Sequence, residues 1–376
     1  MLRGIEGFDW FPTGQNAEKR QFLWGANGWY AYGYCLTQPL DVTPGVFGFG
    51  NALLMDLSVG GFVPLNNGYV VPTDVDTTEL YVGFHYKRFE DSLPGQPGMV
   101  GFYDAVNDAM QFCVTFEAYG VVKVWRGFRP NSTTPSTADL LCASAMGSFQ
   151  DGEVFHVGIY GKVDGSAGAV EVRINTKTVI SVPSANTKGS SATTNCDSLW
   201  IGGCQTATAG SHATHFLLDN LYWNDATGSE NTSFLGNCRV MTQFAAGNGS
   251  HIALSIGGSA PALTNWQSVL NKSLDDTKYT YGTATGQYDL YALEAIVNAP
   301  MVFGIQVSSA ARQDDATQRT LRNVVKSGAT TDDGGDHLTN QTFTRYKDIL
   351  ELNPNTGVGF TGAELNALEV GPEQYA

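Results

Sequence analysis

The sequence predicts an all-β protein in two units, and three observations carry that expectation. Only 15% of its 376 residues are charged, against roughly 25% in an average soluble protein. Glycine fills 44 positions and aromatic side chains 11% of the chain, a combination that suits short strands joined by tight turns. Apolar and polar residues alternate with period two at many places along the chain. The same figures exclude a disordered chain, which is poor in aromatics and rich in charge. They also exclude a coiled coil, which draws about half its residues from Ala, Glu, Lys, Leu and Arg. The length is comfortable for two domains.

Residues 80–87 and 120–126 read as strands. The clearest hairpin region has strands at 154–161, 169–174 and 178–182, with turns at 164–168 and 175–177. There Val170, Val172 and Ile174 share one face while Glu171 and Arg173 share the other, as a sandwich sheet with one wet face requires. The stretches 130–137 and 185–195, built of Ser, Thr, Asn, Gly and Pro, read as loops between strands. The polar run 224–232 separates two apolar runs and places a boundary near residue 235. That gives a larger unit at 1–235 and a smaller β-rich assembly unit at 236–376. In the second unit 239–242, 288–293 and 300–307 look like strands. Residues 314–325 suit either a helix or, with 302–307, two strands joined by an acidic turn. Thr361 and Glu364 have capping-box spacing, with Leu365 and Leu368 on one face, so a short helix is expected to close the chain.

The balance of 21 basic against 36 acidic residues, a formal −15, repels phosphate backbones, and no Lys/Arg run makes a local exception. Nucleic-acid binding is therefore not expected. Solubility explains the charge better than cation binding. No segment reaches 18 consecutive apolar residues, so no membrane insertion is expected. Residues 1–7 lack the apolar core of a secretory signal, which points to synthesis in the cytoplasm with Cys35, Cys113, Cys142, Cys196, Cys204 and Cys238 reduced. A Cys196–Cys204 bridge fits the spacing only for a protein that matures outside the cell. No Cys-x-x-Cys or paired His pattern marks a zinc site.

Motifs that bear chemistry each have a plainer explanation. Asp74, Asp76 and Glu79 have roughly the spacing of the carboxylates in β-sandwich glycosidases, a chemistry that needs two carboxylates facing one cleft. In a regular strand, however, Glu79 points away from the other two, and the run directly follows Pro72. Asp332, Asp333 and Asp336, like Asp275 and Asp276, stand in acidic loops of the kind calcium uses. Turn formation accounts for them, and no cofactor is assigned beyond that calcium option. Of His85, His156, His212, His215, His251 and His337, two lie in strand patterns, and no Gly-x-Ser-x-Gly elbow supplies a nucleophile. No residue is therefore given a catalytic, cofactor or metal role. Aromatics crowd the first 34 residues. Buried, they are core. Exposed, Trp10, Trp24, Trp29 and Tyr30 are the candidates for contact with a glycan or a partner.

Several segments resemble a group of tailed-bacteriophage virion proteins: residues 5–9, 79–87, and 154–182 followed by 199–203. So do 216–222, Gly228 and 234–240, the most specific part, and 364–371 near the end. The pieces occur in the right order over most of the chain. The resemblance implies a concanavalin A-like (laminin G-like) jelly-roll β-sandwich, followed by a smaller β-sandwich-like domain with the short helix at its end. It further implies a non-enzymatic structural protein of the virion, placed in a tail, baseplate, neck or head-surface appendage. Such proteins assemble as symmetric homo-oligomers with other virion proteins, and some touch host surface glycans. No catalytic residue carries over. Asn220 and Asn237 stand where acidic residues are expected, which weakens calcium binding.

Three functions follow as expectations. The first is the virion component, which suits a charge-poor surface covered by neighbouring subunits. The second is a lectin-like adhesin that stacks Trp and Tyr on sugars. The third is a β-sandwich glycoside hydrolase using Asp74, Asp76 or Glu79.

Overall fold

The computed structural model describes residues 1–11, 25–26, 28–32, 41–47, 50–56, 67–90, 97–127, 140–203, 215–259, 263–270, 277–297, 299 and 301–376. The chain divides into two compact units, the first made of Met1–Trp24 and Trp29–Val240, the second of Gly25–Gly28 and Met241–Ala376. No helix among the described residues is long and apolar enough to cross a membrane.

The first unit is a jelly-roll β-sandwich. Its strands begin with β1 (Leu2–Glu6), β2 (Tyr30–Tyr32), β3 (Asp41–Pro44), β4 (Asn51–Asp56) and β5 (Asn67–Thr77). They continue with β6 (Glu79–Arg88), β7 (Gly98–Asp104), β8 (Ala109–Glu117), β9 (Val121–Arg126) and β10 (Leu140–Ala143). The last are β11 (Phe155–Lys162), β12 (Gly168–Ile174), β13 (Lys177–Ala185), β14 (Cys196–Gly203) and β15 (His215–Asn224). One sheet has the order β13-β12-β11-β6-β15-β4-β3, with β1 also on β15. The other runs β10-β9-β8-β7-β14-β5-β2.

Alternation along each strand sends one set of side chains between the sheets. Val82, Phe84 and Tyr86 of β6 and Val157 and Ile159 of β11 are fully buried there. Tyr86 meets Phe116 of the facing sheet at a ring distance of 4.6 Å, and Phe84 meets the same ring edge-on at 6.1 Å. Gly161 is one place where the sheets approach closely. A Cβ on it would lie 2.2 Å from Cζ of Phe112. The β11-β12-β13 hairpins form where the alternation predicts them. The second of their turns places Asn175 and Thr176 at φ 46° and 75°.

Of the N-terminal aromatics, Phe8, Trp10, Phe11 and Trp29 are buried in the core. Trp10 is 6% exposed and Trp29 2%, so neither offers a ring face to a sugar. The buried carboxylate of Glu6 accepts from the Phe8 amide (2.8 Å) and the Trp10 indole (2.9 Å), and Trp29 stands edge-on to Phe8. Trp24 and the Tyr30 side chain lie outside the described residues.

The second unit contains β16 (Ala245–Ile252), β17 (Ser255–Gly257), α1 (Asn265–Val269), β18 (Tyr279–Tyr281), β19 (Gln287–Leu293) and β20 (Ile305–Ala311). Then come β21 (Thr320–Ser327), β22 (Thr330–Asp332), β23 (His337–Leu338), β24 (Thr344–Leu350), α2 (Gly362–Leu365) and β25 (Glu369–Gln374). Its main sheet is β16-β19-β25-β21-β22 with β23 on β21, beside the pairs β17-β18 and β20-β24. Val307, Val325, Phe360, Leu365 and Leu368 form its apolar centre. The buried Asp289 accepts from the amides of Ala253 and Leu254, from Asn265 and from the Tyr291 hydroxyl.

Three expectations change here. Residues 320–325 are strand, but β21 pairs with β25 while β20 pairs with β24, so the two do not form a hairpin. The capping box on α2 is present, with Thr361 accepting from the Glu364 amide and Glu364 from the Thr361 amide. That helix does not close the chain, because β25 follows and takes a central place in the sheet. Residues 239–242 form no strand, and the Val240 amide bonds the Asn220 side chain instead.

Candidate functional site

The outward face of the first sheet carries three cross-strand rows fixed by register. In the first row Glu171, Tyr160 and Tyr81 are neighbours on β12, β11 and β6. In the second, Arg173 and Gly158 are followed by Gly83 and then Tyr222 of β15. In the third, His156, His85 and Asp219 stand side by side on β11, β6 and β15.

The first row is open. Tyr81 and Tyr160 are half-buried, with ring centroids 4.8 Å apart and tilted by 32°. Phe234 stands edge-on to Tyr81 at 5.2 Å, and the Arg173 guanidinium lies 3.9 Å over the Phe234 ring. Arg173 also pairs with Glu171 at 2.7 Å, and these two side chains keep 36% and 27% of their surface exposed. The Tyr160 hydroxyl donates to Glu79. Burial, then the Glu79 charge and this hydrogen bond, raise its pKa. The Tyr81 pKa is raised by burial and by Glu79 and Glu171, against Arg173. The result is a small aromatic platform rimmed by two carboxylates and a guanidinium.

The second row is a glycine floor. A Cβ on Gly83 would lie 2.0 Å from the Tyr222 ring, and one on Gly158 would lie 3.1 Å from Phe234. Both aromatic rings rest on backbone where any side chain would displace them.

The third row is roofed by residues 234–240. The Tyr222 hydroxyl donates to the Gly236 carbonyl (2.7 Å), His85 Nε2 meets Asn237 Oδ1 (2.8 Å), and the Val240 amide donates to Asn220 Oδ1 (2.7 Å). Arg239 lies over Phe47, whose ring stands edge-on to His85 at 4.8 Å. His85 and His156 are 1% and 3% exposed, and the Nδ1 atom of each is buried without a hydrogen-bond partner. Burial lowers the pKa of His85, and burial together with the neighbouring His85 takes His156 down to about 4. Asp219 accepts from the Asn220 and Val46 amides, yet burial pushes its pKa up to about 6, with Asp9 adding to the rise.

The residues singled out in the sequence fall differently. Asp76 accepts from Asn195, Asp74 is exposed at φ 57°, and Glu79 bonds Tyr160, so the carboxylates at 74, 76 and 79 do not act as one set. Asp332 accepts from Gly334 and Asp336 pairs with Arg322, which are turn and ion-pair roles, while Asp275 and Asp276 lie outside the described residues. Among the described residues no group of three or more His, Cys, Asp or Glu is placed to hold a metal ion. Cys196 is a buried free thiol whose pKa burial raises to about 12, and Cys204 lies outside the described residues. His85 and His156 were visible in the sequence only as strand residues. Tyr81 and Tyr160 each gave a signal within their own strand, where they alternate with inward residues, Leu80 and Val82 in one and Ile159 and Gly161 in the other.

No protein-family model matches the chain, and no curated protein matches it. Solved structures show a partial likeness to it. One is an alginate lyase, 13% identical, with TM-score 0.38 over 59% of this chain and 96% of that one. Another is the GH131 β-glucanase catalytic domain from Podospora anserina, 9% identical, with TM-score 0.39 over 62% and 98%. A third is the carbohydrate-binding module CBM66 from Bacillus subtilis, 8% identical, with TM-score 0.33 over 53% and 97%. The expectation of a non-enzymatic virion structural protein is corrected on this finding. None of these three is a virion component, and two are enzymes. At such identities the likeness is one of fold, and the chemistry of this chain has to be read from its own side chains.

Proposed function

We propose that the first unit is a carbohydrate-binding jelly roll whose saccharide lies across Tyr81, Tyr160 and Phe234. The observation that supports this reading is the half-exposed tyrosine pair on a wet sheet face, rimmed by Glu79, Glu171 and Arg173. A pyranose ring has apolar C–H faces and a hydroxyl equator. Aromatic rings cover the former, and charged donors and acceptors at the rim satisfy the latter. The carbohydrates named for the similar folds, alginate and β-glucan, define the first panel to try.

Isothermal titration of the intact chain against neutral and acidic polysaccharides tests the reading. Binding is expected to weaken about tenfold or more in Tyr160→Ala, the loss of roughly one aromatic contact plus its burial. Absence of binding to every saccharide, or binding that survives Tyr81→Ala and Tyr160→Ala together, would remove it. A second reading, glycosidic-bond cleavage, is favoured by one observation: Glu79 and Glu171 both act on Tyr81 and so flank the same platform. Two carboxylates across one bound sugar are what glycoside hydrolysis uses. Release of reducing ends that disappears in both Glu79→Gln and Glu171→Gln is the expected result of that reading.

A further inference from the structure

Resting on the platform as a glycan site, we propose that residues 234–240 are an acid-released latch, in which protonation of His156 and His85 frees the segment and withdraws Phe234 from the platform. The segment is held at several points. Phe234 sits over Gly158 beneath Arg173, Gly236 and Asn237 are bonded by Tyr222 and His85, and Val240 is bonded by Asn220. Ahead of it, Asn224 Nδ2 donates to the carbonyls of Asn231 and Ser233. The two histidines lie beneath the middle of this span.

The hydrogen bonds place a proton on Nε2 of both imidazoles, and the buried, unpartnered Nδ1 favours the neutral ring. At His85 the partner is a carbonyl oxygen, so Nε2 must donate. The Tyr222 hydroxyl spends its proton on Gly236, so its 3.4 Å contact with His156 Nε2 also has the ring as donor. A second proton on either ring goes to Nδ1, which is buried and has no acceptor. The ring centroids are 5.5 Å apart, so charging one ring opposes charging the other.

The surrounding groups do not rescue the charge. On β15 stand Asp219 and Tyr222. Asp219, with a pKa of about 6 and Asp9 beside it, loses its charge before His156 gains one, and the Tyr222 pKa is raised by burial. The segment itself brings Arg239, which disfavours a charged His85, and Cys238, whose pKa burial raises to about 11. Arg173 of β12 is paired with Glu171, and Lys87 of β6 reaches over Phe89. Opening the segment admits water to Nδ1 and returns each imidazole to its ordinary affinity for a proton. The sign follows. The closed state holds the lower pKa, so it is fully favoured above about pH 6.5 and loses ground as pH falls toward 4. For His156 alone, a closed-state pKa of about 4 against about 6.5 when open raises the opening equilibrium about 30-fold between pH 7.5 and pH 5.

Hydrogen exchange on the full chain, corrected for the intrinsic pH dependence of exchange, reads the latch without any sugar. Amide protection over 234–240 is expected to fall about 30-fold from pH 7.5 to 5, while β6 and β11 stay protected. In His156→Phe, which keeps a ring but cannot take a proton, most of that fall disappears. His85→Gln, which keeps a donor for Asn237, removes part of it. Protection that does not change with pH, or that falls equally in wild type and both variants, overturns the latch. Glycan titration at the two pH values is the second arm, with weaker binding expected at pH 5 in wild type and not in His156→Phe. A latch that opens in a chain that binds no glycan at either pH retires the platform reading and leaves the latch standing. Binding equal at both pH values while the segment opens overturns the coupling to Phe234.

Discussion

At the scale of single residues, Gly83 and Asp219 have opposite economies. Gly83 is needed for what it lacks, since a methyl group there would enter the Tyr222 ring. Gly83→Ala is expected to destabilise the unit by about 1–3 kcal/mol, the usual range for overpacking. In a Tyr222→Ala background the same change should cost little, so urea titration of the double-mutant cycle gives a large coupling term. Asp219 is held in the fold at a pKa of about 6, above its unfolded value near 3.8. A raised carboxylate favours the fold below its unfolded pKa and gives that contribution up as pH rises through the folded value. Asp219→Asn loses one acceptor for the Val46 or Asn220 amide at every pH. The pH dependence is separate from that loss. Between pH 4 and pH 8 the stability difference should move in the variant's favour by roughly 2–3 kcal/mol, measured by denaturant unfolding at both values.

Among the elements, the β11-β12-β13 hairpins show what a sequence can and cannot announce. Alternation of Val170, Val172 and Ile174 against Glu171 and Arg173 gave strand, face and pairing correctly, because period two has a single structural solution when one face is wet. Its second turn was also legible, though not its strain. Thr176 sits at φ 75°, a conformation that β-branched residues avoid. Thr176→Gly is expected to stabilise the unit by about 1 kcal/mol, seen as a rise in its thermal midpoint of a few degrees. Residues 239–242 have a strand-like pattern in the sequence, yet the segment 234–240 that leads into them forms none. It has no neighbour to form a ladder with, and side chains of β15 bond its Gly236 carbonyl and Val240 amide instead. The rows Tyr160–Tyr81 and His156–His85 were hidden for a related reason. Parity along a strand is visible in a sequence, whereas the register that sets two strands' residues side by side is decided by contacts far apart in the chain. Trp10 was ambiguous on composition, and its indole bond to the buried Glu6 shows how a core position satisfies its polar atom.

For the whole molecule, each unit has its own apolar centre, built on Phe84, Tyr86 and Phe116 in one and on Val325, Phe360 and Leu365 in the other. Calorimetry is therefore expected to resolve two unfolding transitions, and Phe116→Ala should lower only the one that belongs to the jelly roll, at a cost of about 3–5 kcal/mol. The pairing of β1 with β15 also has a kinetic meaning. Ile5 finds its partner at Tyr222. At ribosomal speeds the partner follows ~10–40 s later. Throughout that interval a ready-made strand edge, followed at once by Phe8, Trp10 and Phe11, waits without a sheet to join. The jelly roll is thus exposed to misassociation while it is being made, and the duration of that exposure is set by translation rather than by the stability of the finished fold.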